Sequence, residues 1–584
     1  MARGLPHTIL VAALATLAAM LLQNVLRQTW QIRTLPERVM EWLLLFVPLD
    51  LFERGLAQFG SDAKEVALTG TMFGMAAVLC LLGIAVLRAG WSGWRLLALG
   101  LALWLITMVV VMPVTGAGLF ATGLLVAPLL TNAGYLMVFL GYATVLIAGV
   151  AMTPRRRRQR RRRRGHATGF RSPVGAERRA LVAGLVGTGL TYGLARFVGR
   201  EGGSVGSSLP RAVIPTRTPA PAAAAAAATR EPGTPASAAV ADTPTPTPPP
   251  VTADAFPTPP PARRLTRDKD GSLTAAGRPK GTLAPLITRN EDFYIVTKNA
   301  VADPVLDAAT WRLVIDGEVN NPVQLDYLSL RAMPAVELTK TLECISNLAA
   351  GCTQTSFGCD LLSTARWTGV RLSDLVELAG GLKPGVVAFA VYSTDEFSAG
   401  LPVSAAMHPE TLVVYQMNDA ILPREHGYPA RLLVPGRYGM KNPKWLARIS
   451  AMNQPFTGWY DQRGWTAEGI VKTMSRIDVP FDGASLTPGE QQIAGIAYAG
   501  TRGIQRVEFS EDGGNTWQPA RILEPPAGSD TMVRWAGTFT IQAGERLVLV
   551  VRATDGNGDT QPETFVLPQP SGSSGWDSIE VNAA

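Results

Sequence analysis

Cys344 stands at the end of an apolar run, Thr341-Leu-Glu-Cys-Ile-Ser-Asn347. A thiolate there is a soft donor, suited to a metal that needs strong electron donation. A lone cysteine in such a run is more often a small buried hydrophobe, so the metal role needs other support. A second cluster lies in Pro423-Arg-Glu-His-Gly-Tyr-Pro-Ala-Arg-Leu-Leu-Val-Pro-Gly436 and Tyr438-Gly-Met-Lys-Asn-Pro-Lys-Trp445. It sets His426, Arg431 and Lys444 among glycine and proline turns. Cationic donors on tight turns suit a phosphate or a pyranopterin. The plainer alternative is a solvated basic loop, and the adjoining hydrophobic strand weakens it.

The other cysteines narrow the chemistry. Cys80 lies in an apolar run and reads as inert packing. Cys344, Cys352 and Cys359 lack the paired CxxC spacing of a zinc or iron–sulfur site. No CxxCH is present, which excludes covalent c-type haem. The histidines are His7, His166, His408 and His426, none deep in an apolar segment, so the membrane part cannot clasp a haem between two of them.

The elements around these residues divide the 584-residue chain into several domains. Residues 1–152 read as an α-helical membrane domain, with spans expected at Leu5–Leu26, Val66–Leu87, Leu96–Val114 and Gly134–Met152. Met40–Leu51 is too short and too charged to cross and reads as interfacial. Gly116–Leu130, interrupted by Gly and Pro, reads as re-entrant or outer-surface. The net charge of +8 is local: Arg155–Arg164 holds nine arginines, broken only by Gln159. Beside a span this run is a cytoplasmic anchor rather than a nucleic-acid patch, and no nucleic-acid partner is expected. Arg88 and Arg95 mark a second cytoplasmic loop, which puts the amino terminus inside as well.

Residues 153–200 combine this basic segment with Arg178-Arg179 and the apolar stretch Ala180–Ala195, a twin-arginine-like signal or anchor. A fifth span with an ordinary basic flank is the alternative, and both readings export the chain beyond residue 200. Residues 201–285, rich in Pro, Ala and Thr, form a disordered linker that favours extended polyproline II. A globular domain occupies 286–474, with a strand from Trp311, a short helix at Leu372–Ala379 and a strand meeting a turn at Leu432–Gly436. Residues 475–584 show alternating runs between turns, the pattern of a β-sandwich. In an oxidising compartment, Cys352 and Cys359 are expected to pair, being seven apart in a polar loop with Gly351 and Gly358.

Several motifs taken in order resemble the sulfite oxidase family of molybdopterin enzymes. They are Asn290-Glu-Asp-Phe-Tyr294, Thr341–Asn347, Ala365-Arg-Trp-Thr-Gly-Val370, Tyr415-Gln-Met-Asn418, His426–Gly436 and Asn442-Pro-Lys-Trp445. The resemblance runs from about Ile287 to Pro568. Gly495–Trp517 is similar to the family's immunoglobulin-like dimerisation domain. The resemblance implies an α+β molybdopterin domain, an immunoglobulin-like β-sandwich and a homodimer formed through it. It implies a molybdenum–molybdopterin cofactor, with Cys344 as metal ligand. His426, Arg431, Asn442, Pro443 and Lys444 would hold the pterin and its phosphate, with Lys298, Asn299 and Asp395 near other cofactor contacts. The family chemistry is oxygen-atom transfer, with electrons exchanged with a separate cytochrome or quinone-linked partner, since no haem domain precedes the molybdenum domain.

Departures from the family bear on substrate. Family members place arginines after the ligand cysteine, where this sequence has Leu348 and Ala349. The nearest counterpart of the family's active-site tyrosine is Trp465, a catalytic candidate beside Cys344. These changes favour reduction of an S-oxide or N-oxide, small or protein-bound, over sulfite oxidation. The expected location is the cell membrane, multi-pass, with the catalytic domain on the extracytoplasmic side. The competing reading is an inactive, membrane-tethered binding protein of the same fold. A transporter fits poorly, because the spans hold almost no charge.

Overall fold

The computed structural model describes residues 5–48, 63–124, 128–152, 279–299, 301–352 and 358–583, with a few isolated positions between. The Arg155–Arg164 run, Arg178-Arg179 and most of the 201–285 linker lie outside the described residues.

Four helices are long and apolar enough to cross a membrane: α1 (Leu5–Thr29), α3 (Ala63–Arg88), α4 (Trp94–Val114) and α5 (Pro128–Ala151). They correspond to the four expected spans, each a few residues longer at one end or both. Between α1 and α3 lies α2 (Leu35–Leu43). Of the segment expected to be interfacial, Met40–Leu51, Met40–Leu43 is helical, as the end of α2, and residues 44–47 are turns and bends. The start of α2 is set by a capping box, in which Thr34 accepts from the Glu37 backbone N–H and Glu37 accepts from the Thr34 N–H, with Pro36 in the first turn.

The domain expected over residues 286–474 is two β-sheets packed face to face. One runs β2 (Val323–Asp326), β1 (Arg312–Gly317), β10 (Leu446–Met452), β5 (Ala388–Ser393), β6 (Ser398–Pro402), with only β1 and β10 parallel. The other runs β8 (Ala420–Ile421), β7 (Leu412–Met417), β4 (Leu362–Arg371), β3 (Val336–Glu343), with β9 (Arg431–Leu433) also pairing with β7. Leu313, Ile315, Val391 and Ile449 from the first sheet meet Val370, Val413 and Leu432 from the second in one core. The domain expected to be α+β is thus β-rich. Its helices are short, such as α6 (Tyr327–Ala332) and α7 (Leu372–Leu378). The Cys352–Cys359 disulfide is present.

The carboxy-terminal domain strings eight strands on one path. In order they are β11 (Met474–Val479), β13 (Gly489–Tyr498), β16 (Val533–Ile541), β15 (Gln518–Ile522), β14 (Ile504–Ser510), β17 (Arg546–Asp555), β18 (Asp577–Ala583) and β12 (Ala484–Leu486). It reaches back to the first domain through Asp530. That carboxylate pairs with the buried Lys340 of β3 and accepts from Tyr498 Oη at 2.7 Å and the Gly436 N–H at 2.9 Å. The Asp530 carbonyl accepts from the Thr341 N–H at 2.9 Å, so the last turn of strand before Cys344 is held by both domains.

Candidate active site

The site lies where the loops leaving β3, β5 and β10 converge with the turns around β9. Cys344 directly follows β3, and its N–H donates to the Leu361 carbonyl at 2.9 Å. A cavity of about 390 Å³ opens beside it. Of the residues nominated from sequence, Lys298, Cys344, Asp395, His426, Arg431, Asn442, Pro443, Lys444 and Trp465 all line it. Asn299 does not, but its Nδ2 donates to Asp395 at 3.0 Å and so borders it.

One end of the cavity is cationic. His426 ends a 3-10 turn (Arg424–His426) and is followed by Gly427 at φ 117°. A Cβ on Gly427 would come within 3.0 Å of the Arg431 Cβ and 3.1 Å of the Lys444 Cβ, so glycine is what lets the three basic residues close up. Arg431 donates to the carbonyls of His426 and Asn442 at 3.1 and 3.0 Å, and its Nε is buried without a hydrogen-bond partner. Lys444 Nζ donates to the Glu425 and Val296 carbonyls at 2.8 and 3.1 Å. Burial, helped by Lys444 and Arg431, pushes His426 down to about 3, so the ring is neutral. Burial pushes Arg431 down to about 10, and burial with the nearby Arg431 pushes Lys444 down to about 8. Such depression marks buried cations short of an anion. A phosphate-bearing pterin at this end and a soft thiolate at Cys344 are what these residues fit.

The opposite side is aromatic. Trp459, Tyr460, Trp465 and Phe397 line it, with Tyr460 edge-on to Trp459 and Trp465 at ring distances of 4.8 and 5.7 Å. Burial, with the nearby Cys344, holds the Tyr460 phenol well above its ordinary range. Sequence reasoning nominated Trp465 and passed over Tyr460 and Arg463, five and two residues before it. Leu348 and Ala349 are 0% and 2% exposed and do not line the cavity. The chain turns inward after Cys344, and the Leu348 N–H bonds to the Gly358 carbonyl. These two positions therefore do not set the charge of the cavity wall. Arg366 lies outside it too, paired at the surface with Asp419.

A family profile described as "Oxidoreductase molybdopterin binding domain" matches residues 300–460, and "Mo-co oxidoreductase dimerisation domain" matches 470–568. Sulfite oxidase from Gallus gallus is 30% identical over 319 residues, covering 48% of this chain and 68% of that protein. Mitochondrial sulfite oxidase from Homo sapiens is 32% identical over 316 residues, covering 48% of this chain and 58% of that protein. The chain belongs to the sulfite oxidase family of molybdopterin-dependent oxidoreductases, and its cofactor contains molybdenum. It spans between 58% and 68% of the length of these two relatives. Among solved structures, the sulfane dehydrogenase SoxCD from Paracoccus pantotrophus aligns with a TM-score of 0.44 at 24% identity, over 52% of this chain and 79% of that one.

Proposed function

We propose that this chain is a membrane-anchored enzyme that reduces an S-oxide or N-oxide by oxygen-atom transfer, drawing electrons from a separate cytochrome or quinone-linked protein. The cofactor, when bound, supplies the two-electron oxygen-transfer chemistry. Cys344 ligates the metal, and Arg431, Lys444, neutral His426 and Asn442-Pro443 hold the pterin and its phosphate. Lys298, Asn299 and Asp395 border the same group. Tyr460, kept un-ionised, and Trp465 face the substrate as hydrogen-bond donors on an apolar wall. The observation that carries this reading is one cavity with a thiol, an anion-deficient cationic end and an aromatic side.

The catalytic domain is placed outside the cytoplasm in this reading. The carboxy-terminal end of α1 and the amino-terminal end of α3 touch it, through Arg27 to the Ala302 carbonyl at 2.8 Å and Lys64 to the Thr297 carbonyl. The opposite helix ends carry Arg88 and Arg95, which the positive-inside rule assigns to the cytoplasm. Export would then use Arg178-Arg179, and the last domain would be immunoglobulin-like and support a homodimer. Replacing both arginines by lysine should strand the catalytic domain inside; unchanged protease accessibility would make them ordinary topological charge.

A second reading, an anionic substrate such as sulfite, draws on Lys64, Lys298 and Arg463 at the cavity wall. It ranks second because Lys298 is already paired with Glu41 and Arg463 lies over the Trp459 ring at 3.4 Å. Metal analysis and steady-state assays on the purified full chain separate the cases. Molybdenum near one per chain with S-oxide turnover supports the first. Efficient sulfite oxidation supports the second, and a chain without molybdenum is the inactive binding protein.

A further inference from the structure

The membrane region does more than hold the catalytic domain near the bilayer. Met40, Glu41 and Leu44 line the cavity, and the segment that carries them, residues 27–44, is held against the catalytic domain by side-chain contacts. Arg38 of α2 is buried and makes a two-pronged contact with Glu396, at 3.0 and 2.7 Å, on the loop after β5. Arg33 reaches Glu41 at 2.8 Å and Glu396 at 3.6 Å. Gln31 exchanges two hydrogen bonds with the backbone of Val305, donating to its carbonyl at 2.6 Å and accepting from its N–H at 3.0 Å.

Glu41 is the residue that enters the site. It lines the cavity, and its carboxylate meets Lys298 at 3.3 Å, with both side chains nearly sequestered from water. Its backbone carbonyl accepts from Arg463 at 3.0 Å, and Arg463 in turn lies over Trp459. Lys298 also sits 5.7 Å from the Trp459 ring centre. Glu41 thus supplies a counter-charge to one basic side chain of the cavity and a carbonyl to another. Beside it, Met40, Leu44 and Val47 present an apolar surface to the same cavity that Cys344, Tyr460 and Trp465 line. A buried charge without a partner is costly. Without α2, Lys298 would lose its carboxylate partner, Arg463 would keep the Trp459 carbonyl but lose that of Glu41, and the cavity would lose the apolar lining of Met40 and Leu44.

We propose that α2 is a wall of the molybdenum site, in which Glu41 is a positioning residue for Lys298 and Arg463. Met40 and Leu44 then make the site selective for an uncharged substrate with an apolar substituent. This deepens the reading of the site as an oxide reductase and rests on it for the substrate class. By neutralising Lys298, Glu41 removes one of the charges that would favour a small anion. By excluding water, the helix favours a substrate that gains from apolar burial.

The test uses the molybdenum-loaded full chain in lipid nanodiscs, with methyl phenyl sulfoxide as probe and sulfite as the anionic comparison. Arg38→Glu and Glu396→Arg each break the clamp, and the double variant restores it in reverse. Each single variant should unprotect the amides of Leu35–Leu43 to hydrogen exchange. It should also raise KM for the sulfoxide about ten-fold, the scale of one lost charge-assisted contact, with kcat changed much less. The double variant should recover both protection and KM. Glu41→Gln should raise the sulfoxide KM and lower that for sulfite, with a smaller loss of α2 protection than either clamp variant shows. Singles that unprotect α2 but leave KM unchanged would overturn the proposal, as would α2 amides that exchange freely in the unaltered chain. A loaded wild-type chain that does not turn over the sulfoxide would sink both the proposed function and the substrate half of this inference. The exchange protection and the sulfite KM of Glu41→Gln would still decide the wall itself.

Discussion

Two basic walls, one lining the cavity and one at the interface behind it where the membrane region meets the catalytic domain, have similar composition and opposite electrostatic state. On one, His426, Arg431 and Lys444 crowd together, bonded to backbone carbonyls and, among the described residues, to no carboxylate within ion-pairing distance. On the other, Arg33, Arg38 and Lys298 are matched by Glu41 and Glu396. Buried charge is tolerated only when something compensates it. The first wall therefore needs a ligand to supply the missing anion, and the second needs none because Glu41 of the membrane region and Glu396 of the catalytic domain supply it. A count of arginines and lysines along the chain cannot separate these cases. The location of the carboxylates can.

The largest expected effect is at the thiol that lines the cavity. Cys344→Ser should lower oxide turnover by more than the roughly 10–100-fold that outer-shell changes cost a metal site. Thermal stability should be nearly unchanged, since the substitution is close to isosteric. Turnover at the unaltered rate would remove Cys344 from the chemistry.

One kind of change made on each wall should give responses of opposite sign. Arg431→Met deletes a buried cation that has no ion-pair partner. The cofactor-free chain should lose little stability or gain some, because an uncompensated charge gives way to an apolar side chain. Cofactor retention should weaken by about 1.5–3 kcal/mol, the worth of a charge-assisted hydrogen bond. Arg38→Met deletes a paired cation and leaves Glu396 with Arg33 alone, at 3.6 Å. Here the expected effect is a loss of docking stability of up to about 3 kcal/mol, with molybdenum content unchanged. Metal analysis and thermal melts of both variants check this. Equal responses would mean that the two walls do not differ.

Much of the first wall was legible in the sequence, and little of the second. Cys344, His426, Arg431 and Lys444 sit in short motifs whose turns and donor types carry their own meaning. Trp465 was nominated by position and does line the cavity. Glu41 was invisible, since its contact with Lys298 spans 257 residues and its contact with Arg463 spans 422. No local pattern announces such a pair; the capping box at Thr34 signals a helix but not what the helix covers. Leu348 and Ala349 mislead for a related reason. Their sequence distance from Cys344 suggests proximity to the metal, but the chain turns into the core directly after the cysteine. The four apolar helices could be placed to within a few residues because roughly twenty apolar residues in a row are what a bilayer core requires of a span.

The smallest effect is the most discriminating, because the two walls should respond to acid in different windows. Burial alone would raise Glu41 and Glu396. For Glu41 the surrounding Arg33, Lys298 and Arg463 reverse this, and for Glu396 Arg38, Arg33 and Lys298 do, leaving both carboxylates below their ordinary value of 4.5. A carboxylate depressed in the docked state contributes stability that is fully present above its free value and lost as pH falls through the docked one. Protection of Leu35–Leu43 should therefore stay flat from neutral pH down to about pH 4.5 and decline only below it. His426 behaves otherwise. It is depressed from 6.5 to about 3 by burial and by Lys444 and Arg431, so unfolding takes up a proton as soon as pH drops below 6.5. In the cofactor-free chain the His426 contribution falls by up to about 1.4 kcal/mol for each pH unit between 6.5 and 3, while Glu343 and Asp577, raised by burial to about 8 and about 7, shift stability the other way. Between pH 6.5 and 5, the cofactor-free chain should therefore lose stability relative to its His426→Gln variant while the exchange protection of α2 holds. Loss of α2 protection in that interval would mean that the carboxylates are not held down by their neighbours, and the contrast between the walls would collapse.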